Sequence, residues 1–414
     1  MRAEVITIGD ELLIGQTINT NAAWIGAEMS KIGFSIERMV SIPDKKTDII
    51  NELTYASGKA EVILITGGLG PTSDDITKPV LCEFFKTRLV TDPVVLGMIM
   101  DMMLRRNFPM NDNNRRQADV PENCKVLYNT TGTAPGMWFE KGGTIYVSMP
   151  GVPLEMKHIM TEHVLPELGR RFHSQVIVHK NIMTYGMPEA KLAEILTGFE
   201  AGLPDFVRLA YLPSYGIIKL RLTGRGQERA AVECEINIQA NKLYNLIPGL
   251  IYAEDEESME MTVGRLLRKK NETVCTAESC TGGNIARMIT SVPGSSNYFQ
   301  GSVVAYSNDV KTGLLKVAAD LIVNYGAVSP EVAEAMAKGA RNLFSTDYAV
   351  AVTGIAGPEG GTDTKPVGTV CISVDSKSMT VTEKFRYGSD RDINIIRFSI
   401  AALNMLRMMI NGVE

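Results

Sequence analysis

One local order recurs in two separate stretches of this chain: a short apolar run, a glycine turn, then apolar residues at helical spacing. Repetition of that order builds a mainly parallel sheet covered by helices. Residues 3–8, 35–42, 62–66 and 144–149 read as strands, and 21–32, 46–57, 76–85, 95–105 and 153–168 as helices. In the first of these helices Trp24, Ile25, Met29 and Ile32 share a face, and proline opens the last. The alternation returns after the acidic run Glu254-Asp255-Glu256-Glu257, with helices at 259–269, 283–289, 330–342 and 392–410 and strands at 273–276, 302–307, 348–353, 368–374 and 380–385. Between them, strand-like pieces at 176–178 and 217–222 flank helical patterns at 189–199 and 230–246, which suits a small α+β module. A chain of 414 residues is too long for one ordinary core. We therefore expect three parts, 1–168, 169–255 and 256–414, with no repeat relating the first to the last. The middle part is compatible with a KH-type module, but it lacks a GxxG turn, so nucleic-acid binding is not expected.

Hydrophobic residues at 45% and charged residues at 21% are average for globular proteins, and a net charge of −5 argues against nonspecific DNA binding. No unbroken apolar run approaches the roughly 20 residues of a membrane span. The N-terminus enters a strand at once and lacks the pattern of a signal peptide, so a cytoplasmic protein without membrane partners is expected. Six cysteines without a CxxC pair read as free thiols. The four histidines, His158, His163, His173 and His179, all precede the last third of the chain. Any acid–base chemistry in that third must use something else.

Residues 273–283 read TVCTAESCTGG: an apolar strand runs into Glu278-Ser279-Cys280-Thr281, and Gly282-Gly283 open a helix. This arrangement brings a nucleophile and helix N-terminal amides to one spot, and amides so placed can form an oxyanion hole. Ser279 or Thr281 serves equally well as a plain helix cap. A serine without histidine needs a lysine, and Ala305-Tyr306-Ser307-Asn308-Asp309-Val310-Lys311 offers one, although a lysine there is also an ordinary solvated side chain. Cys280 is the alternative nucleophile, disfavoured by the missing histidine. Downstream, Thr353-Gly354-Ile355-Ala356-Gly357, Gly360-Gly361, Lys365-Pro366-Val367-Gly368 and Gly388-Ser389-Asp390-Arg391 bring glycine turns and a guanidinium to strand ends and a helix start. Such loops can hold a phosphate. Singly each is turn chemistry; together in one domain they point to one site.

The strings AESCTGG, AYSNDVK, YGAVSPE, VTGIAGPEGG, KPVGT and GSDRD resemble the C-terminal domain of the CinA competence/damage-inducible family and the stand-alone nicotinamide-nucleotide amidase, over essentially residues 259–410. The resemblance implies metal-free, cofactor-free deamidation of nicotinamide mononucleotide. By motif position it makes Ser279 the nucleophile, Lys311 the base and Tyr306 an assisting group. Thr281, Gly282, Gly283, Thr353, Gly354 and Arg391 fall in substrate-holding positions. Lys311 must then work as a neutral amine, its pKa lowered by burial or by a nearby cation such as Arg391. An autonomous amidase domain starting near Asp255 is expected.

Near the N-terminus, Ile65-Thr66-Gly67-Gly68-Leu69-Gly70-Pro71-Thr72-Ser73-Asp74-Asp75 is strand, glycine turn and helix, but neither a Walker A loop nor a GxGxxG fingerprint. Its glycines suit a phosphate, its carboxylates repel one, and a divalent cation removes that conflict. A capped turn is the plainer alternative. Gly9-Asp10-Glu11 and Ile42-Pro43-Asp44 bring further carboxylates to strand ends, and glycine–proline loops follow at 129–136 and 149–153. Residues 1–168 resemble the three-layer α/β molybdopterin-binding fold of the MoaB/Mog type, in particular the CinA N-terminal domain. That implies metal-dependent ADP-ribose pyrophosphatase activity with Gly67, Gly68, Gly70, Asp44 and Asp75 at the substrate. Asp10, Glu11, Asp74 and Asp75 are the candidate ligands of a metal of unknown identity. The expected whole is a homodimeric enzyme of pyridine-nucleotide salvage. Its alternatives are a non-catalytic pterin or nucleotide binder at the N-terminus, or a competence-associated interaction protein.

Overall fold

The computed structural model describes residues 1–72, 75–172 and 176–412. It contains two compact units, residues 1–178 with 224–235, and residues 179–223 with 236–414.

The first unit is built on β1 (Arg2–Ile8), β2 (Ser35–Ile42), β3 (Val62–Thr66), β6 (Lys125–Leu127), β7 (Gly136–Lys141) and β8 (Thr144–Met149), in the order β2-β1-β3-β8-β7-β6. β4 (Leu89–Thr91) and β5 (Asp119–Pro121) form a separate two-stranded ribbon. β1, β2, β3 and β8 run parallel, and β7 returns antiparallel beside β8. β3 and β8 are buried throughout, which is why they read as continuous apolar runs. Helices α1 (Asp10–Leu13), α2 (Thr20–Lys31), α3 (Lys46–Ala56), α4 (Thr77–Phe85), α5 (Pro93–Arg105) and α6 (Asp112–Arg116) follow in chain order, then α7 (Pro153–Ile159) and α8 (Leu165–Arg171). A π-helical turn at Met160–Val164 divides what the periodicity presented as one helix. One core gathers Ile25, Met29, Leu64, Val147 and Met156; another gathers Ile6, Ile49, Leu53, Ile65 and Tyr146. Two cores on one sheet make three layers. Strand order reverses between β1 and β3, and ligands of open α/β sheets bind at the carboxyl ends of strands at such a switch point. The loops leaving β1 and β3 come close enough there that a Cβ on Gly67 would lie 2.0 Å from the Ile8 carbonyl oxygen.

β9 (Val176–Tyr185), β10 (Val207–Ser214), β11 (Ile217–Gly226) and β12 (Ile251–Glu254) pair in the order β10-β11-β9-β12, accompanied by α9 (Glu189–Ala201) and α10 (Arg229–Leu246), and their residues 179–223 and 236–254 belong to the second unit. This is a small KH-like α+β module. The chain then builds β13 (Val274–Glu278), β14 (Phe299–Val304), β15 (Tyr348–Gly354), β16 (Thr369–Ser376) and β17 (Thr380–Arg386), in the order β14-β13-β15-β16-β17. β13 is parallel to both neighbours, whereas β15, β16 and β17 form an antiparallel meander, as three strands without intervening helices must. The helices are α11 (Met259–Lys270), α12 (Asn284–Thr290), α13 (Asn308–Gly313), α14 (Ala319–Tyr325), α15 (Pro330–Phe344) and α16 (Arg391–Asn411). α15 supplies Val332, Met336 and Ala340 to the core on one face, and α16 supplies Phe398, Leu403 and Leu406 to the other. Among the described residues α16 alone has the length and hydropathy of a membrane span, and 72% of that stretch is buried in the unit.

The acidic run at 254–257 does not end a core. Tyr252 and Ala253 of β12 belong to the same apolar cluster as Val263, Leu267 and Phe398, and Met183, Tyr185 and Ile217 pack against it.

Candidate active site

β13 lies between two parallel neighbours, and its carboxyl end carries the serine. The Ser279 amide continues the ladder by donating to the Val352 carbonyl at 2.9 Å, while Ala305 N–H donates to the Glu278 carbonyl at 2.7 Å. The chain then turns through Gly282 and Gly283, both at positive φ, into α12. Lys311 sits on α13, which starts at a Ser307 cap. It is 1% exposed, against 9% for Ser279. Its Nζ donates to Ser279 Oγ at 3.2 Å, to the Ala305 carbonyl at 2.7 Å and to the Tyr306 carbonyl at 3.4 Å. No carboxylate is among these partners. Burial pushes the ammonium below its ordinary pKa, and the neighbouring Cys280 side chain opposes this. Of the two causes the sequence left open, burial is the one at work.

The helix amides do not face the serine. Glu278 Oε2 accepts Thr281 Oγ1 at 2.7 Å, Gly283 N–H at 3.1 Å and Ile285 N–H at 3.0 Å, and its Oε1 accepts Ala286 N–H at 2.8 Å. The Gly282 amide donates to the Ser279 carbonyl. The expected oxyanion hole of α12 amides is therefore corrected: those amides are committed to an internal carboxylate. Among the described residues, the Cys280 and Thr281 amides donate to no other residue.

Arg391 opens α16 beside the same crevice, its Nη1 donating to the Gly357 carbonyl at 2.8 Å and its Nη2 to the Tyr306 hydroxyl at 3.3 Å. Tyr306 is 62% exposed. Thr353, by contrast, is buried and donates its hydroxyl to the Ala327 carbonyl at 2.7 Å, so it braces a neighbouring loop. A Cβ on Gly354 would lie 3.0 Å from Cys280 Sγ. The thiol thus packs against Gly354, and burial pushes its pKa up to about 12, which disfavours it as the nucleophile at neutral pH. Asn394 belongs to no motif: fully buried one turn after Arg391, it donates Nδ2 to the Ala356 and Gly388 carbonyls, both at 2.9 Å, and ties two loops of the crevice together. An asparagine on an apolar helix face was the available signal.

In the first unit, burial and the charges of Asp10, Glu11 and Asp75 raise the Asp44 pKa, while the Asp10 amide bonded to its carboxylate opposes the shift. Asp75 accepts Thr72 N–H at 3.0 Å and Thr72 Oγ1 at 2.5 Å. Gly68 leaves room for Thr77 and Asp44, and Gly70 for Asp75. Asp74 lies outside the described residues. Among the described residues no three His, Cys, Asp or Glu side chains converge as a metal cage. A magnesium-type ion needs only one or two carboxylates plus substrate phosphates and water, and this donor set suits that demand. The 129–136 loop is a side-chain-capped turn: Asn129 Oδ1 accepts the Thr131 and Gly132 amides. Lys78, which belongs to no motif, is buried; its Nζ donates to the Gln117 carbonyl at 2.8 Å, and burial lowers its pKa to about 8.

Comparison with known proteins gives three family matches: "CinA C-terminal domain" over residues 256–410, "Probable molybdopterin binding domain" over 4–170 and "Damage-inducible protein CinA KH domain" over 179–253. A CinA-like protein of Cytophaga hutchinsonii is 45% identical over 412 residues, spanning 100% of this chain and 99% of that one. One of Flavobacterium psychrophilum is 44% identical over 411 residues, spanning 98% of each. Among solved structures, a competence/damage-inducible protein of Agrobacterium tumefaciens is 37% identical, covering 37% of this chain and 94% of its own, with a TM-score of 0.36.

Proposed function

Because the chain belongs to the CinA family, we propose that its C-terminal domain hydrolyses the carboxamide of nicotinamide mononucleotide to nicotinate mononucleotide and ammonia. The observation that carries this reading is Lys311 Nζ at 3.2 Å from Ser279 Oγ in a buried site, with no carboxylate among the hydrogen-bond partners of the amine among the described residues. A neutral amine has two N–H bonds and one lone pair. With the Ala305 and Tyr306 carbonyls accepting the two N–H bonds, the lone pair is left for the Ser279 hydroxyl. Ser279 gives its proton to Lys311 as Oγ attacks the amide carbon, and the Cys280 and Thr281 amides donate to the oxygen that becomes charged. Lys311 returns the proton to the leaving nitrogen, and ammonia departs. Water then opens the ester: Lys311 accepts the proton of the attacking water and returns it to Ser279 Oγ as that oxygen leaves, so both residues end as they began. General acid–base catalysis of this kind contributes roughly 10²–10⁴-fold. Arg391, exposed and beside Tyr306, is the group for the phosphate. Incubating the purified chain and its Ser279→Ala variant with nicotinamide mononucleotide, and separating the products by chromatography, tests the reading. Nicotinate mononucleotide from the variant at the native rate, or from neither protein, would refute it.

Crowding of Asp44 by three other carboxylates favours a second reading, a nucleotide pyrophosphatase site in the first unit acting on ADP-ribose. Asp44, Asp10, Glu11 and Asp75 are the residues to hold a divalent ion, which when bound supplies charge neutralisation and Lewis acidity to a diphosphate. Manganese binding followed by electron paramagnetic resonance, alongside ADP-ribose hydrolysis, tests it. Binding of nucleotide without turnover would make the domain a binder only.

A further inference from the structure

Glu278 is fully buried, and its carboxylate receives the Thr276 hydroxyl at 3.3 Å in addition to the Thr281 hydroxyl and the Gly283, Ile285 and Ala286 amides. None of these partners is a cation. A carboxylate taken out of water must be compensated. Here the compensation comes from hydroxyls and from the first-turn amides of α12, the positive end of that helix. α12 has Gly283 at its N-cap and no side-chain cap of its own. Its cap is supplied from five residues upstream, by the last residue of β13.

The consequence falls on the residue in between. The Glu278 backbone is fixed by the sheet, through the Ala305 amide, and its side chain reaches across to the far side of the turn that carries Ser279. Without that span the turn keeps its backbone bonds, Ser279 N–H to the Val352 carbonyl in the sheet, Gly282 N–H to the Ser279 carbonyl, Asn284 N–H to the Thr281 carbonyl and Arg287 N–H to the Gly283 carbonyl, but loses the side chain that ties its glycine end to β13.

We propose that Glu278 is a positioning residue: its carboxylate struts the Ser279–Gly283 turn against α12, holding Ser279 Oγ within reach of Lys311 and keeping the Cys280 and Thr281 amides free for the reacting oxygen. The inference rests on the reading of Ser279 as nucleophile. Glutamine at this position keeps the size but replaces one acceptor oxygen with an N–H donor. Placed on either side, that group faces an amide or hydroxyl that already donates, and the strut is broken.

The test uses the full chain and two readouts, ammonia release from nicotinamide mononucleotide and the rate at which phenylmethylsulfonyl fluoride labels Ser279, mapped by mass spectrometry. Glu278→Gln should lower kcat about 100-fold while KM stays within about threefold, as loss of alignment rather than of binding requires. Its labelling rate should fall in parallel. Thr281→Val, which removes one donor and keeps shape, should lower kcat about tenfold at unchanged KM. It decides the matter if the glutamine variant does not fold. Native kcat and labelling in either folded variant would overturn the inference, as would a rise in KM with kcat retained. Labelling of the native chain without ammonia release would sink the substrate reading alone, and the labelling rates would still judge Glu278. No labelling of the native chain would sink the nucleophile and this inference together.

Discussion

Lys311→Arg and Lys311→Met separate a base from a fixed charge. A lysine in water, with a pKa of about 10.4, is almost wholly protonated at neutral pH. In this site burial lowers that pKa, and no carboxylate restores it. The unprotonated amine is the form that can take the Ser279 proton, so kcat/KM should climb with unit slope as pH rises, levelling above a pKa below 10.5. The same shift sets the stability effect. A lysine whose folded pKa lies below its unfolded value favours folding least when protonated, so its cost is felt as pH falls through the folded pKa and vanishes above 10.5. Lys311→Met should therefore lose roughly 10²–10⁴-fold in kcat, the contribution of the acid–base step. Because the ammonium is buried with no carboxylate among its hydrogen-bond partners among the described residues, the methionine variant should melt no lower than the native chain. Arginine stays charged at every working pH. Lys311→Arg should be nearly as inactive, and being larger and forked in a site 1% exposed, it should also be less stable. Ammonia release against pH, paired with thermal melts, measures both. Substantial turnover by the arginine variant, or a native rate that rises as pH falls, would refute the neutral-amine argument.

Cys280→Ala should keep most of the amidase activity, since its thiol packs against Gly354, whereas Ser279→Ala should abolish it; the reverse pattern in an ammonia assay would exchange their roles. Chelation should stop ADP-ribose hydrolysis and spare the amidase, and Asp75→Asn should do the same; equal loss of both activities would contradict separate sites. A fragment beginning near Asp255 loses the packing of Tyr252, Met183 and Tyr185 on the C-terminal core. At about 1.5–3 kcal/mol per large side chain fully buried, it should be several kcal/mol less stable than the same domain in the full chain, measured by urea melts. Equal stability would show that the shared cluster is dispensable.

Much of this protein is legible along the chain because strands such as Val62–Thr66 and Tyr348–Gly354 are buried on both faces and must be apolar throughout. Amphipathic helices such as α15 carry their buried face as a repeat of three and four residues. The empty histidine inventory of the last third also sufficed to ask for a lysine, and the motif strings named it. Short strands such as Lys125–Leu127 and the π-turn after α7 carry too few residues for a period to register. What only the tertiary structure decided is the state of the groups. Lys311 meets Ser279 across 32 residues, and Arg391 meets Tyr306 across 85. Glu278 silences the α12 amides that the local sequence seemed to aim at the serine, and Tyr185 and Tyr252 enter a core that the acidic run at 254–257 suggested was closed. Periodicity tells which side of an element is buried. Which partner buries it, and therefore whether a lysine is neutral or an amide is free, depends on desolvation and hydrogen bonds supplied by residues distant in sequence.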